Sequence, residues 1–409
     1  MLTERCGYLV ASASEPLKVI GASWCPDCRR AKAFLSEQRV AFEWIDLEEH
    51  PEQVALVERL NGGSRTIPTI LFPDGTHLAE PGNDELAEKL GLARSASSSH
   101  YDVIMVGGGP TGLTAAIYGA RENLRVLIIE KSAPGGQAGV TERLDNYPGF
   151  PDGVAGFELA DRMRRQAERY GVEILQAVAV TSVEAVPGRV DVTTSTGDVY
   201  AARAVLLATG SVYRRTGAEG EADLIGAGVH FCATCDGPFY RGVDEVVVIG
   251  GGNSGLEEGL FLTQFANHVS VVEYNEELGA SRLLQDKVRA HPKMSVRTNT
   301  KVTKFVGANS RLEAVELEDR ATGAVENHAA SGAFVFVGLE PNTAFLNGRA
   351  TLDERGFLVS DEQFRTSLPG VFVAGDVRRG STKQLASAVG EGAAASIQIR
   401  YYLDKLENA

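Results

Sequence analysis

The sequence predicts an α/β protein of several domains, and three observations carry the prediction. Short β-branched runs alternate with helix-forming stretches along the chain. A strand, a glycine-rich turn and a helix follow one another twice, at 101–131 and at 245–274. A run of small polar residues, ARSASSSH at 93–100, interrupts the alternation and reads as a flexible linker. At 409 residues the chain is too long for a single hydrophobic core.

Composition narrows the function. A formal net charge of −14 argues against nucleic acid, because phosphate binding needs concentrated Lys and Arg. No apolar run approaches the length of a membrane span. Of the five cysteines, four form two CxxC pairs, which suits catalytic redox chemistry in a reducing, cytoplasmic compartment better than a secreted disulfide framework.

The first pair lies in ASWCPDCRR, residues 22–30. PLKVIGAS before it reads as a strand and RRAKAFLSEQ after it as a helix, so Cys25 falls at a helix N-terminus. Free N–H groups and the macrodipole favour a thiolate there, with Arg29 and Arg30 adding positive charge. Cys28, one turn deeper, is then the resolving thiol. The competing readings are half a zinc site or two inert core cysteines. Zinc ribbons place the second CxxC within about 15–20 residues, whereas the next cysteines are Cys232 and Cys235.

The segments VAFEWIDLEEHPEQ, TIPTILFPDGTHLAEP and NDELAEKLGL complete a β-α-β-α-β-β-α order. With WCPDC, NGGSRTIPT and FPDGT, residues 17–92 resemble the glutaredoxin-like branch of the thioredoxin fold, the mycoredoxins in particular. The resemblance implies a cis-proline at Pro68 facing the nucleophile, and a substrate groove built from Trp24, Pro26, Ile67 and Pro68. Asp27 stands where many glutaredoxins carry an aromatic residue, which speaks against glutathione as substrate. Residues 1–16, with the unpaired Cys6, are additional to that fold. Their GYLVASAS stretch follows Glu4 and Arg5 and makes a poor secretory signal.

In the first glycine-rich unit, Gly107, Gly109 and Gly112 make GxGxxG, with Pro110 opening the helix and Glu130 placed to bind a ribose hydroxyl. Glycine lets the backbone reach a pyrophosphate, which then sits on the positive end of the helix. The second unit repeats this with Gly250, Gly252, Asn253, Ser254, Gly255 and Glu273. Two such units imply two dinucleotides on two Rossmann-like three-layer domains.

VLLATG, ending in Thr209 and Gly210, and GVFVAGDV, with Gly375 and Asp376, complete a set that resembles the two-dinucleotide flavoprotein disulfide reductases. GVHFCATCDGPFY narrows the resemblance to the low-molecular-weight thioredoxin reductases over residues 101–403, with GGQ (Gly136, Gln137) and NYPGFP (from Asn146) also matching. The resemblance implies FAD on the first site and NAD(P)H on the second. It implies a flavin domain split into 101–212 and 340–409, an inserted nicotinamide domain at 213–339, and a homodimer; the glutaredoxin-like domain is then 1–92 and the composition break the linker at 93–100. It assigns Cys235 to face the flavin, Cys232 to attack the outgoing disulfide and Asp236 to move protons. Lys383, Gln384 and Ala386 are assigned to closure over the flavin, and Glu258 and Gly338 to the nicotinamide.

The expected path runs from the nicotinamide to FAD, to Cys232/Cys235, to Cys25/Cys28, and out to a disulfide acceptor such as a thioredoxin, a peroxiredoxin or a mycothiol-type thiol. A short tether would raise the local concentration of the redoxin toward the millimolar range. Rotation of the nicotinamide domain would alternate the two half-reactions. NADPH-dependent relatives carry His-Arg-Arg and a further Arg after the second strand. This chain has Glu273, Tyr274, Asn275 and Gly279 there, and a carboxylate repels a 2′-phosphate, so the reading leans to NADH. VVEYNEELGASRLLQDKV looks like the flavoprotein subunit of alkyl hydroperoxide reductase, which makes electron donation to a peroxiredoxin an alternative. An oxygen-dependent dithiol oxidase and a redox-gated binding module are the others. His230, two residues before Cys232, reads either as a base or, as expected, as a strand residue pointing away from the thiols, and Trp24, Phe239 and Tyr240 are expected to dock partners or simply pack.

Overall fold

A computed structural model describes residues 16–141, 144, 146–308 and 311–407. Cys6 and the segment before residue 16 lie outside the described residues, as does the side chain of Cys235.

The N-terminal unit runs β1 (Leu17–Gly21), α1 (Pro26–Glu37), β2 (Phe42–Asp46), α2 (Val54–Leu60), β3 (Thr69–Leu71), β4 (His77–Ala79) and α3 (Asn83–Lys89). Its sheet has the order β2-β1-β3-β4, with β1 parallel to β2 and antiparallel to β3. Pro26 opens α1, where its missing N–H costs nothing. The Asp74-Gly75 turn between β3 and β4 needs a left-handed residue, and Gly75 supplies it at φ +80°.

The next unit begins with β5 (His100–Val106), α4 (Pro110–Arg121), β6 (Val126–Ile129), α5 (Gly156–Arg169), β7 (Glu173–Leu175), β8 (Val180–Val186), β9 (Arg189–Thr194) and β10 (Val199–Leu207). The chain then crosses through β11 (Ser211–Tyr213) into β12 (Val229–His230), α6 (Ala233–Asp236), β13 (Glu245–Ile249), α7 (Asn253–Leu262), β14 (His268–Val272), α8 (Arg282–Ala290) and β15 (Met294–Arg297). A small antiparallel sheet, β16 (Thr300–Ala308), β17 (Arg311–Asp319) and β18 (Val325–Ala329), precedes β19 (Gly332–Val335). Strand β20 (Leu339–Pro341) pairs antiparallel with β11, so both crossings between the units lie side by side. The return supplies β21 (Val371–Val373), parallel to β10, and α9 (Leu385–Glu407).

Both large sheets are Rossmann-like: β7-β6-β5-β10 is parallel in one, and β12-β19-β13-β14-β15 in the other. Strand β5 shows why layers form on both faces. Val103 and Met105 pack with α4 and α9, while Ile104 and Val106 pack with β8 and β9, as the two-residue period requires.

Residues 93–99, expected to be slack, are pinned to the sheet they precede. Gln176 N–H donates to Ala93 O, Ala96 N–H to the Tyr200 hydroxyl, and Ala201 N–H to Ser99 O. Ser97 gives both its N–H and its hydroxyl to the Glu173 carboxylate, at 2.5 and 2.9 Å. The linker's backbone makes all but one of these bonds, and the Ser97 hydroxyl adds the other.

Candidate functional site

The redoxin thiols sit where β1 hands over to α1. Cys25 is the N-cap, and its sulfur accepts the Cys28 N–H at 3.2 Å while lying 3.9 Å from Ile67 O. The Ile67–Pro68 bond is cis. Both cysteines are buried free thiols, clustered with Ala22, Trp44 and Ile67. Burial pushes the Cys28 thiol up to about 12, helped by its bond to Cys25 and by the Asp27 charge. Arg30, expected to support Cys25, is turned the other way. It pairs with Asp27 at 3.0 Å and donates to Pro81 O and Asn83 Oδ1, whereas Arg29 stays beside Cys25, donating to Trp24 O at 3.5 Å, and adds its charge to that of the helix N-terminus. Trp24 stands 63% exposed beside them, its indole N–H on Glu48.

This arrangement predicts a difference in reactivity. In the reduced protein at pH 9, where an ordinary thiol is half ionised, Cys28 is expected to resist alkylation that labels Cys25. Peptide mapping by mass spectrometry checks it, and equal labelling would overturn it. Because the folded value lies above the unfolded one, the stability this thiol contributes is complete below pH 9 and is lost as pH rises toward 12.

The two glycine-rich turns are near copies. Gly107 and Gly250 have φ +105° and +117°, and a Cβ on either would meet a carbonyl oxygen of the neighbouring strand's end, Ala208 or Phe336, at 2.4 or 2.5 Å. A Cβ on Gly112 or Gly255 would lie 1.9 Å from the Gly107 or Gly250 carbonyl oxygen. Each turn is also tied to its acid: Gly108 N–H donates to Glu130 at 2.7 Å and Gly251 N–H to Glu273 at 2.6 Å. Gly109 and Gly252 cap α4 and α7, and Asn253 Oδ1 accepts from Ser281 N–H, fastening the second turn to the start of α8.

A cavity of about 2320 Å³ unites most of the flavin assignments. Gly109, Pro110, Glu130, Gly136, Gln137 and Asn146 line one part of it; Thr209, Gly210, Asp376, Lys383 and Gln384 line another. Thr209 is fixed by reciprocal bonds with Asn342, and Asn146 donates to Gln384. Gly375, just past β21, packs on the Thr111 side chain, and Gly392 packs on the Thr111 carbonyl, bringing α9 against the start of α4. Burial raises the Asp376 carboxyl and lowers the Lys383 ammonium from their ordinary values. Ala386 is exposed, and Leu385 and Ala388 form the wall there.

Cys232 and Asp236 line the same cavity, and Cys232 is disulfide-bonded. His230 reaches Asp236 through Nδ1 at 3.4 Å and the Tyr240 hydroxyl through Nε2 at 2.7 Å. One face of a two-residue strand beside a short helix puts all three together. Tyr213, on β11, also lines the cavity. Burial, with Asp376, Glu258 and Asp236 around it, pushes its hydroxyl up to about 12. Neither Tyr213 nor this His230–Asp236–Tyr240 cluster was legible as a motif, because long-range pairing of β11 with β20 and β12 with β19 assembles them.

Among the assigned nicotinamide residues, Gly250, Gly252, Asn253, Ser254, Gly255, Glu258, Glu273 and Gly338 are absent from that cavity's wall. The Gly250–Gly255 turn and Glu273 stand at the start of α7, Glu258 one turn further along it and near Tyr213, and Gly338 beside Arg214. Glu258 keeps a buried, unpartnered Oε2, and burial raises its carboxyl above the ordinary range.

The residues fit the two dinucleotides: a backbone cradle that a Cβ would fill, a helix N-terminus and a buried carboxylate at each turn, and an orphaned carboxyl oxygen at the second. Such a pair of sites around a disulfide, beside a thioredoxin-fold unit, defines a dinucleotide-dependent disulfide oxidoreductase. Residues 101–392 match the family described as pyridine nucleotide-disulphide oxidoreductase and residues 17–78 match glutaredoxin; the chain belongs to the former family and carries an N-terminal glutaredoxin domain. Thioredoxin reductase of Listeria innocua is 39% identical over 310 residues, 76% of this chain and 96% of its own. That of Mycolicibacterium smegmatis is 40% identical over 311 residues, 76% and 98% of the two chains. The crystal structure of thioredoxin reductase from Streptococcus pyogenes superposes with a TM-score of 0.71 at 39% identity, over 76% of this chain and all of the other. The Giardia duodenalis enzyme gives 0.71 at 29% identity, over 75% of this chain and all of the other. The protein is therefore a disulfide oxidoreductase of thioredoxin reductase type, and that family implies FAD and NADPH. Among the described residues no helix is long and apolar enough to cross a membrane.

Proposed function

We propose that this enzyme reduces its own glutaredoxin domain, and through it an external disulfide, with electrons from a nicotinamide dinucleotide. The observation that carries the reading is the shared cavity: Cys232 and Asp236 stand on the wall built by the residues assigned to FAD. Bound FAD supplies the two-electron relay between the nicotinamide and the cysteine pair.

The protein's own residues then have defined tasks. Asp236, held by His230, is positioned to give and take the protons that accompany dithiol formation. Once reduced and exposed, Cys232 thiolate attacks Cys25 of an oxidised redoxin pair; the Cys25–Cys28 bond breaks and Cys28 leaves with the electron pair. Its raised pKa draws a proton to it, which disfavours the reverse attack. Cys235 then attacks Cys232, releasing Cys25 as a thiolate and closing the Cys232–Cys235 disulfide. Trp24, Pro26, Ile67 and Pro68 border the outlet to the acceptor. Thioredoxin-like proteins, a peroxiredoxin or a low-molecular-weight thiol all suit that outlet. We place the enzyme in the cytoplasm as a homodimer.

The reading further favours NADH over the NADPH that the family implies. Glu273 is buried, bonded through Oε2 to Gly251 N–H and through Oε1 to Asn275, so a fixed negative charge stands at the strand end. Anaerobic stopped-flow reduction of the FAD-loaded protein with each donor, followed by counting thiols at Cys25 and Cys28, tests path and donor together. NADH is expected to bleach the flavin at least about tenfold more efficiently, in line with the several kcal/mol that like-charge juxtaposition costs, with both N-terminal thiols appearing afterwards. Faster reduction by NADPH would reverse the donor assignment; a bleached flavin without new thiols at Cys25 and Cys28 would break the path.

A further inference from the structure

Arg39 lies just beyond α1, in the left-handed region at φ +55°, and belongs by sequence to the glutaredoxin domain. Its side chain nevertheless enters the flavin domain. Nη1 donates to Pro134 O at 2.5 Å and Nη2 to Gly136 O at 3.0 Å, while Ala133 N–H donates back to Glu37 O at 3.2 Å. The guanidinium lies over Gly139, where a Cβ would come within 2.3 Å of it. Both Glu37 and Arg39 line the large cavity together with Gly109, Glu130 and Gly136.

The charge of this arginine is unbalanced. Its two acceptors are neutral carbonyls, and its Nε is buried without an acceptor. The nearby carboxylate, Glu130, is already spent on Gly108 N–H and on the N–H and hydroxyl of Ser132. Burial lowers the guanidinium's pKa from its ordinary value, with Glu130 opposing. A half-buried cation beside the N-terminus of α4 lacks an anion, and a dinucleotide's diphosphate has the charge and the planar-fork acceptors it needs.

We propose that Arg39 is a cofactor-binding residue, contacting the diphosphate of FAD, so that the glutaredoxin domain forms one wall of the flavin site and cofactor retention is coupled to domain docking. The proposal rests on the assignment of FAD to this cavity. Linkage makes the coupling reciprocal: FAD holds the domain in its seat, and departure of the domain loosens FAD.

Equilibrium binding of FAD to the full-length apoprotein, read by flavin fluorescence, tests it. Arg39→Ala is expected to weaken FAD about ten- to a hundredfold, the range for loss of a charge-assisted bond to phosphate, and Arg39→Lys to recover part of it. Gly139→Ala displaces the guanidinium without removing it; it should weaken FAD in the parent chain and be neutral in the Arg39→Ala background. Hydrogen exchange across residues 34–40 should slow when FAD is added to the parent and not to Arg39→Ala. Arg39→Ala binding within twofold of the parent, or Gly139→Ala costing the same in both backgrounds, would overturn the proposal. A parent chain that binds no FAD would instead remove the assignment beneath it.

Discussion

Serine at Cys232 is expected to leave the flavin reducible by the nicotinamide and to cut delivery of electrons to Cys25/Cys28 by about a thousandfold or more, the scale on which loss of a nucleophile is felt. The cavity wall explains the separation. Thr209, Asp376, Lys383 and Gln384, the residues proposed to hold the flavin, are untouched by the substitution, whereas the thiolate proposed to attack the redoxin disulfide is gone. Flavin absorbance would bleach on mixing while peptide mapping finds Cys25 and Cys28 still joined. Reduction of the redoxin pair within tenfold of the parent rate would mean that electrons leave the flavin by another exit.

The second large effect comes from a single methyl group. Alanine at Gly112 would put a Cβ 1.9 Å from the Gly107 carbonyl oxygen, and alanine at Gly255 would do the same to Gly250. Both obstacles are backbone, which cannot rotate aside as a side chain can, and overpacking of this kind costs about 1–3 kcal/mol or more. The turns must open, which removes the surface that a pyrophosphate approaches. Gly112→Ala is therefore expected to purify without flavin colour and to bind added FAD at least a hundredfold more weakly. Gly255→Ala should keep its colour and lose affinity for the nicotinamide by a similar factor. Titration of both variants with FAD and with NADH checks the pair, and an exchange of the two phenotypes would invert the assignment of the sites.

These two turns were legible in the sequence because everything that makes them is local. Strand, glycines, helix and acid fall within about thirty residues in each copy. Cys25 at a helix N-cap is equally local, set by a β-branched run, a proline and helix formers. The Rossmann-like sheets and the glutaredoxin fold followed from such units. Legibility stopped where partners lie far apart in the chain. Arg39 bonds to Pro134, 95 positions away, and nothing around it marks a ligand. Tyr213 enters the site because β11 pairs with β20, across the whole inserted domain. Arg30 carried the right charge at the right spacing, yet Asp27, Pro81 and Asn83 compete for it, and three nearby acceptors outweigh a thiol. His230 meets Asp236 because a short helix after β12 turns the chain back toward the strand, a contact that no spacing in the sequence announces.

The ends of α1 separate two tasks. Cys25 caps its start, while Glu37 and Arg39 dock at its finish, and twelve residues of helix span about 18 Å. The seated domain thus turns its thiols away from its point of attachment, and the electron delivery proposed above asks it to leave that seat. How far it then travels is written in the pinned segment between the domains. Freed from Ala93 to Ala96 alone, it pays out about 14 Å; freed through Ser99 as well, about 25 Å. The hydrogen bonds of Ala96 and Ser97 act as successive stops on a leash, so the contacts that keep the domain at rest also meter its range.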